Sequence, residues 1–413
     1  MQELKRIINY KRIILLLIAA TVNVVFFLYD NKPVMDEDII NKENVAHETY
    51  IKNYHEEVNA IIDNADKLKK YSIFNKAGSF SYANILQTAR DFERVKNVIL
   101  PEDEYKGVQA YTTYYYQYFF TMLVMMFVIY DMFAQRDNGM WSITYSCANG
   151  RIMYAIKQTG VIVVTGAFTH TLIYWSTFIA AMLQRGGVRD LVNPVQTIET
   201  FDKFTYPWSK IKYVTVLYLI SMVCIVALCI TIWGVFVMFR NRVYALVTML
   251  IFAAVEQFIY SHIDIHSMWN GLHYINIINI ININATFSSY RNWGVGTYVF
   301  PVFSVVLFVH IICAGVIGYI AINVSASMKP YKNTTFIKRF TDCVSAGCQK
   351  ILARIPFLFK EIHKFIFTSH CGWVVVVMLT VTAYVCQTGQ YHYTDDNKYM
   401  DLSLIHISEP TRP

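Results

Sequence analysis

The sequence predicts an all-α polytopic membrane protein, and three observations carry that prediction. Of 413 residues, 55% are hydrophobic and 16% are charged, against about 25% charged in an ordinary soluble chain. Seven apolar stretches of 16 to 27 residues run through it, each long enough for a hydrocarbon core about 30 Å thick. Basic residues gather at one end of these stretches. Together they exclude an intrinsically disordered chain and a single water-soluble globule. The net charge of +7 is no sign of nucleic acid, because basic residues of membrane proteins flank the cytoplasmic ends of spans.

The spans are predicted at residues 13–29, 115–133, 159–183, 213–239, 243–260, 295–321 and 371–386. With the N-terminus inside, inner segments carry 17 Lys/Arg and the short outer loops carry 6. That bias sets the expected orientation, although Arg185, Arg189, Lys203, Lys210 and Lys212 run against it. Tyr111, Tyr114, Tyr115, Tyr116, Tyr118, Phe119 and Phe120 read as an aromatic belt at the outer interface. Residues 1–12 resemble a signal-peptide head, but no small-residue cleavage site follows, so residues 1–29 are expected to stay as an anchor.

Residues 30–110 form a polar insert with 11 Lys/Arg and 15 Asp/Glu. Ile51, Tyr54, Val58, Ile61, Ala65 and Leu68 repeat at heptad spacing. A second helix is expected over 81–98, with Ile85, Phe92 and Val95 facing inward. Residues 75–79 with Gly78 supply the turn, and Pro101 ends the return helix. The expectation is an extracytoplasmic helical hairpin. Its seam serves packing on the plainer reading, and ligand or partner sensing on the other. The insert has no cysteine; the eight cysteines lie in spans or inner loops, which leaves no outer disulfide framework.

The first inner loop is the most informative segment. After Asp131 it runs Arg136, Asp137, Asn138, Gly139, Met140, Trp141, Ser142, Ile143, Thr144, Tyr145, Ser146, Cys147, Ala148, Asn149, Gly150, Arg151, with Lys157 six residues on. A charged start, a glycine, a short amphipathic stretch, a turn and an arginine stand in this order. The loop resembles the first cytoplasmic loop of type-2 ABC exporter permeases, and the likeness of element order covers residues 1–325. Asn149-Gly150 stands where that family often has proline, and Asn-Gly can make the turn through positive φ. The acidic role is divided between Asp131 and Asp137. The resemblance implies a six-span permease bundle whose loop docks on a separate cytosolic ABC ATPase. Trp141, Ile143 and Tyr145 would be the apolar anchor. Arg136, Arg151 and Lys157 would meet an acidic rim, or equally the anionic inner leaflet.

No Gly-Lys dipeptide occurs, so the chain has no phosphate-cradling P-loop. ATP would be bound by the partner subunit, with no cofactor on this chain. H-E-x-x-H and G-x-S-x-G are absent too, and the chain reads as a transporter rather than an enzyme. His262, Asp264 and His266 alternate beyond span 5, a chance pattern of polar loops more than a metal site, and no metal is expected.

Glu256 lies within span 5. A central carboxylate costs roughly 2.5–3.5 kcal/mol to insert and should face the bundle interior. Gln257 and His170 are its candidate partners, and the three are candidates for a transport path or for a plain interhelical hydrogen bond. Residues 240–242 make a tight turn between spans 4 and 5. Gly315 and Gly318 permit close approach of span 6. Asn276, Asn279 and Asn282 in an isoleucine-rich run suggest a polar stripe on a helix lying in the outer interface.

Residues 326–370, with eight Lys/Arg and two Asp/Glu, read as a basic amphipathic linker on the inner leaflet. Residues 371–401 hold span 7 and the start of a second half. Residues 402–413 resemble a translated sequencing-adapter tail and are left out of the fold reasoning; the native chain is expected to continue past Asp401. The expectation is therefore a truncated permease subunit of an ATP-driven exporter in the bacterial cytoplasmic membrane, paired with a second half or a second copy. Its rivals are a membrane sensor or scaffold using the outer hairpin, and an ion-coupled transporter using Glu256.

Overall fold

A computed structural model describes residues 10–33, 37–70, 78–101, 106–137, 150–239, 241–263, 270–295 and 298–327. Predicted span 7, the linker beyond residue 327 and residues 402–413 lie outside the described residues.

Helix α1, Tyr10–Asp30, is the first span. The insert follows as α2, Glu37–Leu68, and α3, Phe80–Glu93. A short α4, Gly107–Thr113, leads into α5, Tyr116–Asp137. Helix α6, Gly150–Arg185, is the longest span. Three 3-10 turns between Arg189 and Phe201 lead to α7, Lys210–Met238. Then come α8, Arg242–His262, and three short helices: α9, Asn270–Tyr274; α10, Ile278–Ile281; and α11, Ile283–Ser288. An antiparallel hairpin of β1, Asn292–Val295, and β2, Tyr298–Pro301, precedes α12, Val302–Ser327. Six of these helices are long and apolar enough to cross a membrane. The chain is an all-α multi-pass membrane protein.

The β-hairpin corrects the predicted start of span 6. Residues 295–301 count as apolar, but they are rich in β-formers and end in Pro301. Proline is tolerated at a helix start and not within one, so the helix begins at Val302.

Helix α7 is the centre of the bundle. Its Tyr213, Cys229, Trp233 and Phe236 are fully buried, and α5, α6 and α12 pack around it. Gly234 of α7 meets Ile317, and Gly318 of α12 meets Ile230 at 3.0 Å from where a Cβ would stand. Gly315, expected to share this role, faces open space. Helix α8 is peripheral, with Ala245 the one buried residue of its length.

The insert forms the expected helical hairpin at one end of the bundle, called here the lobe end. Tyr54, Val58 and Ile62 of α2 close on Phe92 and Val95. The seam differs from a strict heptad. Ile62 is buried where Ile61 was expected, and Leu68 is 36% exposed. A single straight helix repeats at 3.6 residues and drifts off a 3.5-residue seam. Helix α3 stops at Glu93, short of the predicted Val98, and Val95 packs from the turn beyond it. Ser79 caps α3 by accepting the Tyr82 N–H at 3.2 Å, just after Gly78 at φ +88°.

The aromatic belt is corrected as well. Tyr111, Tyr114 and Tyr118 are 0–2% exposed. Tyr111 sits 5.3 Å from both Tyr174 and Phe178, and Tyr114 5.0 Å from Phe27. A run of aromatics winding around a helix start points to all sides, and three of these seven are core.

Candidate functional site

Residues at the two rims of the first loop are described, while its centre is not. Gly139, Trp141, Ile143, Tyr145 and Asn149 lie outside the described residues. Asp137 is the last residue of α5 and Gly150 the first of α6.

Arg136 does not stand free on the surface. Its Nη1 donates to the Phe236 carbonyl at 2.9 Å, and its guanidinium lies 4.6 Å from the centre of the Phe133 ring. The Phe236 carbonyl belongs to the last turn of α7, where intrahelical donors run out. A cation there also meets the negative end of the helix dipole. Asp131, exposed at the end of α5, is bound by Arg12 of α1, with Nε 3.1 Å from Oδ2 and Nη2 in closer contact with the same oxygen. The sequence signal for this pair was two lone opposite charges at the same end of adjacent spans.

Across the loop, Arg151 and Lys157 are both exposed on the first turns of α6. Ile152, Met153 and Ile156 between them are 55%, 52% and 48% exposed. Tyr154, Ala155 and Gln158 turn inward. The 36 residues of α6 make a rod about 54 Å long, against about 30 Å of hydrocarbon. At the lobe end, Arg185 donates to the carbonyls of Asn31 and Lys32, just past the end of α1, at 3.2 and 3.0 Å. These bonds hold the end of α6 against the end of α1 at the lobe end.

Glu256 and His170, read as candidate partners, are given different ones. Glu256 Oε2 accepts the Ile277 N–H at 3.0 Å, and its own carbonyl accepts from Asn276 Nδ2 at 2.7 Å. Gln257 is half-buried beside it. His170 is 1% exposed, bonded to Ser221 Oγ at 2.8 Å and stacked on Tyr218 at 5.8 Å. The separation follows from packing: α8 lies against α7 and α5 at the periphery, while His170 looks inward from α6 at α7.

The asparagine stripe also turns inward. Asn276 and Asn279 are 2% and 9% exposed. Asn276 Oδ1 accepts the Ile278 N–H at 2.8 Å, and Asn279 Nδ2 donates to the His273 carbonyl at 2.7 Å. One-turn helices leave many backbone groups unpaired, and these amides satisfy them. His262 bonds Ser261 and the Phe258 carbonyl at 2.9 and 3.0 Å; Asp264 and His266 lie outside the described residues. Among the described residues, no group of three or more His, Cys, Asp or Glu could hold a metal.

A carboxylate missed by sequence reasoning ties the lobe down. Asp91 of α3 is 7% exposed. It accepts from Gln87 Nε2 at 2.9 Å and from the Tyr290 hydroxyl at 2.9 Å, and pairs with Arg94 at 3.0 Å. Burial, with the Asp91 charge adding to it, pushes the Tyr290 phenol up to about 12, against the opposing hydrogen bonds it shares with Thr88 and Asn292. Asn292 also donates to Asn84 Oδ1 at 2.8 Å, which brings α3 onto β1.

No protein-family model, no curated protein and no solved structure matches the chain.

Proposed function

We propose that this chain is the membrane-spanning permease subunit of an ATP-driven exporter in the bacterial cytoplasmic membrane, with its N-terminus inside. A separate ABC ATPase binds and hydrolyses ATP and engages residues 136–157. A second permease half or a second copy of the chain completes the transport path. The observation that supports this best is one face at the start of α6. On it Arg151, Ile152, Met153, Ile156 and Lys157 are exposed together, directly after the loop that resembles a coupling element. Exposed apolar side chains flanked by cations suit a groove with an apolar floor and an acidic rim. An anionic leaflet suits the cations as well.

The test is capture of the cognate ATPase by the detergent-solubilised chain. Trp141→Ala with Arg151→Glu should abolish capture, while Lys212→Glu at the lobe end should leave it intact. Equal capture by all three proteins would remove the reading.

A further inference from the structure

Two glycines end α6 by turning the chain onto the side of α7. Gly186 and Gly187 stand at φ +71° and +100°, a region open to glycine at little cost. The 3-10 turn Arg189–Val192 then packs against α7. Two backbone bonds hold it there: the Lys210 N–H donates to the Asn193 carbonyl at 2.9 Å, and the Val195 N–H to the Trp208 carbonyl at 2.8 Å. The surface so made is apolar and basic at once. Leu183, Val188 and Val192 are 82%, 65% and 79% exposed. Arg189 and Lys212 on the same two segments are exposed as well, and neither forms an ion pair among the described residues. Asp190 keeps its Oδ2 buried rather than offering it outward. Lys212 Nζ lies 5.1 Å from the centre of the Trp208 ring.

The surface continues along the span. Past Lys212, the residues Thr215, Leu219 and Val223 follow at steps of three, four and four on one face of α7, and all are exposed. That face runs about 16 Å along the helix axis. We propose that this corner of α6 and α7 binds an anionic phospholipid of the leaflet at the lobe end. Its phosphate lies at Arg189 and Lys212, and an acyl chain lies along Leu219 and Val223. Arginine and lysine side chains both take phosphate oxygens. Valines and a tryptophan just outside a span suit the headgroup level. A soluble partner would cover the turn but not the stripe within the span, whereas a lipid covers both. The site also accounts for basic residues that run against the charge bias of the loops. Arg185 is taken up by the Asn31 and Lys32 carbonyls and Lys210 is buried, while Arg189 and Lys212 stay open to an anion from outside the chain. The site needs neither the ATPase nor transport.

Photocrosslinking of the full chain, in nanodiscs of equal phosphatidylglycerol and phosphatidylcholine, tests it. A photoreactive amino acid replaces Val192, or Val316 of α12 as a reference, and mass spectrometry counts the lipid adducts. Each cation near an anionic surface gives about a fivefold preference. Val192 should therefore capture phosphatidylglycerol over phosphatidylcholine by at least about fivefold. Val316, exposed in mid-span, should report the bilayer ratio. Arg189→Gln with Lys212→Gln should return Val192 to that ratio, and Arg189→Lys with Lys212→Arg should keep the preference. Should the double glutamine variant fail to fold, Lys212→Gln alone decides, and it should cut the preference by about half or more. Equal capture of the two lipids at Val192 overturns the proposal, and so does a preference that survives both glutamines. Adducts between two copies of the chain in place of lipid would make the corner a protein interface and overturn it too. Loss of the preference on adding inorganic phosphate at constant ionic strength would assign the site to the free anion, with the same consequence.

Discussion

Tyr290 donates its hydroxyl to Asp91 at 2.9 Å across 199 residues of sequence. The bond joins the insert to the β-hairpin that heads α12, and it does so at a carboxylate already held by Gln87 and Arg94. The lobe is therefore fastened to the last described span as well as to the first two. Tyr50 extends the fastening by donating to the Gln196 carbonyl at 2.8 Å.

This contact predicts an alkaline release of the lobe. The Tyr290 phenol is pushed up to about 12 in the folded chain, against about 10 when free. A raised folded value stabilises the fold fully below the free value, and that contribution is lost as pH climbs through the folded one. Proteolysis of the lobe should thus stay flat to about pH 10 and accelerate between about pH 10 and 12. Tyr290→Phe should be cut faster already at pH 8 and show a smaller step, since burial also raises the Tyr50 and Tyr54 phenols of the lobe.

Glu256 is predicted to act as a brace for the segment after α8. Its carboxylate takes the Ile277 N–H at 3.0 Å, and a hydrogen bond to a charged group contributes about 1.5–3 kcal/mol. Glu256→Ala should speed exchange of the Ile277 amide at least about tenfold. Glu256→Gln keeps an acceptor and should fall between parent and alanine. Identical exchange in all three would refute the brace.

The α7–α12 seam predicts opposite outcomes for neighbouring glycines. A Cβ at Gly234 would run into Ile317, whereas nothing lies within 4 Å of one at Gly315. Gly234→Ala should cost about 1–3 kcal/mol by overpacking. Gly315→Ala should be neutral, or stabilising by up to about 1 kcal/mol through helix propensity. Thermal unfolding in detergent separates the two.

Asn23 of α1 donates to Thr177 of α6 at 2.7 Å, both fully buried, and also accepts from the Tyr114 hydroxyl at 3.0 Å. Interhelical bonds of this kind average about 0.6 kcal/mol in membranes. Asn23→Ala should lower the same unfolding free energy by about 1 kcal/mol, since two bonds go at once.

The spans and the insert hairpin were legible because apolar length and helical spacing are local properties. Lys210–Met238 and Arg242–His262 fall within three residues of the predicted spans 4 and 5. What hydropathy cannot rank is the partner of a residue. It assigned Tyr111 and Tyr118 to an interface, because an aromatic at a helix start looks the same whether lipid or Tyr174 covers it. It gave Glu256 and His170 to each other, because both are polar and within spans, and only the placement of α8 at the periphery separates them. The β-hairpin before Pro301 was masked by its own apolarity, and the Asp91–Tyr290 bond by its sequence separation.

The coupling reading is tested most directly by purifying the chain gently from its native membrane and assaying ATP hydrolysis. An ABC ATPase should co-purify with the parent, hydrolyse ATP, and be lost from Arg151→Glu while the variant remains folded. A folded parent that brings down no nucleotide-hydrolysing subunit would contradict the account.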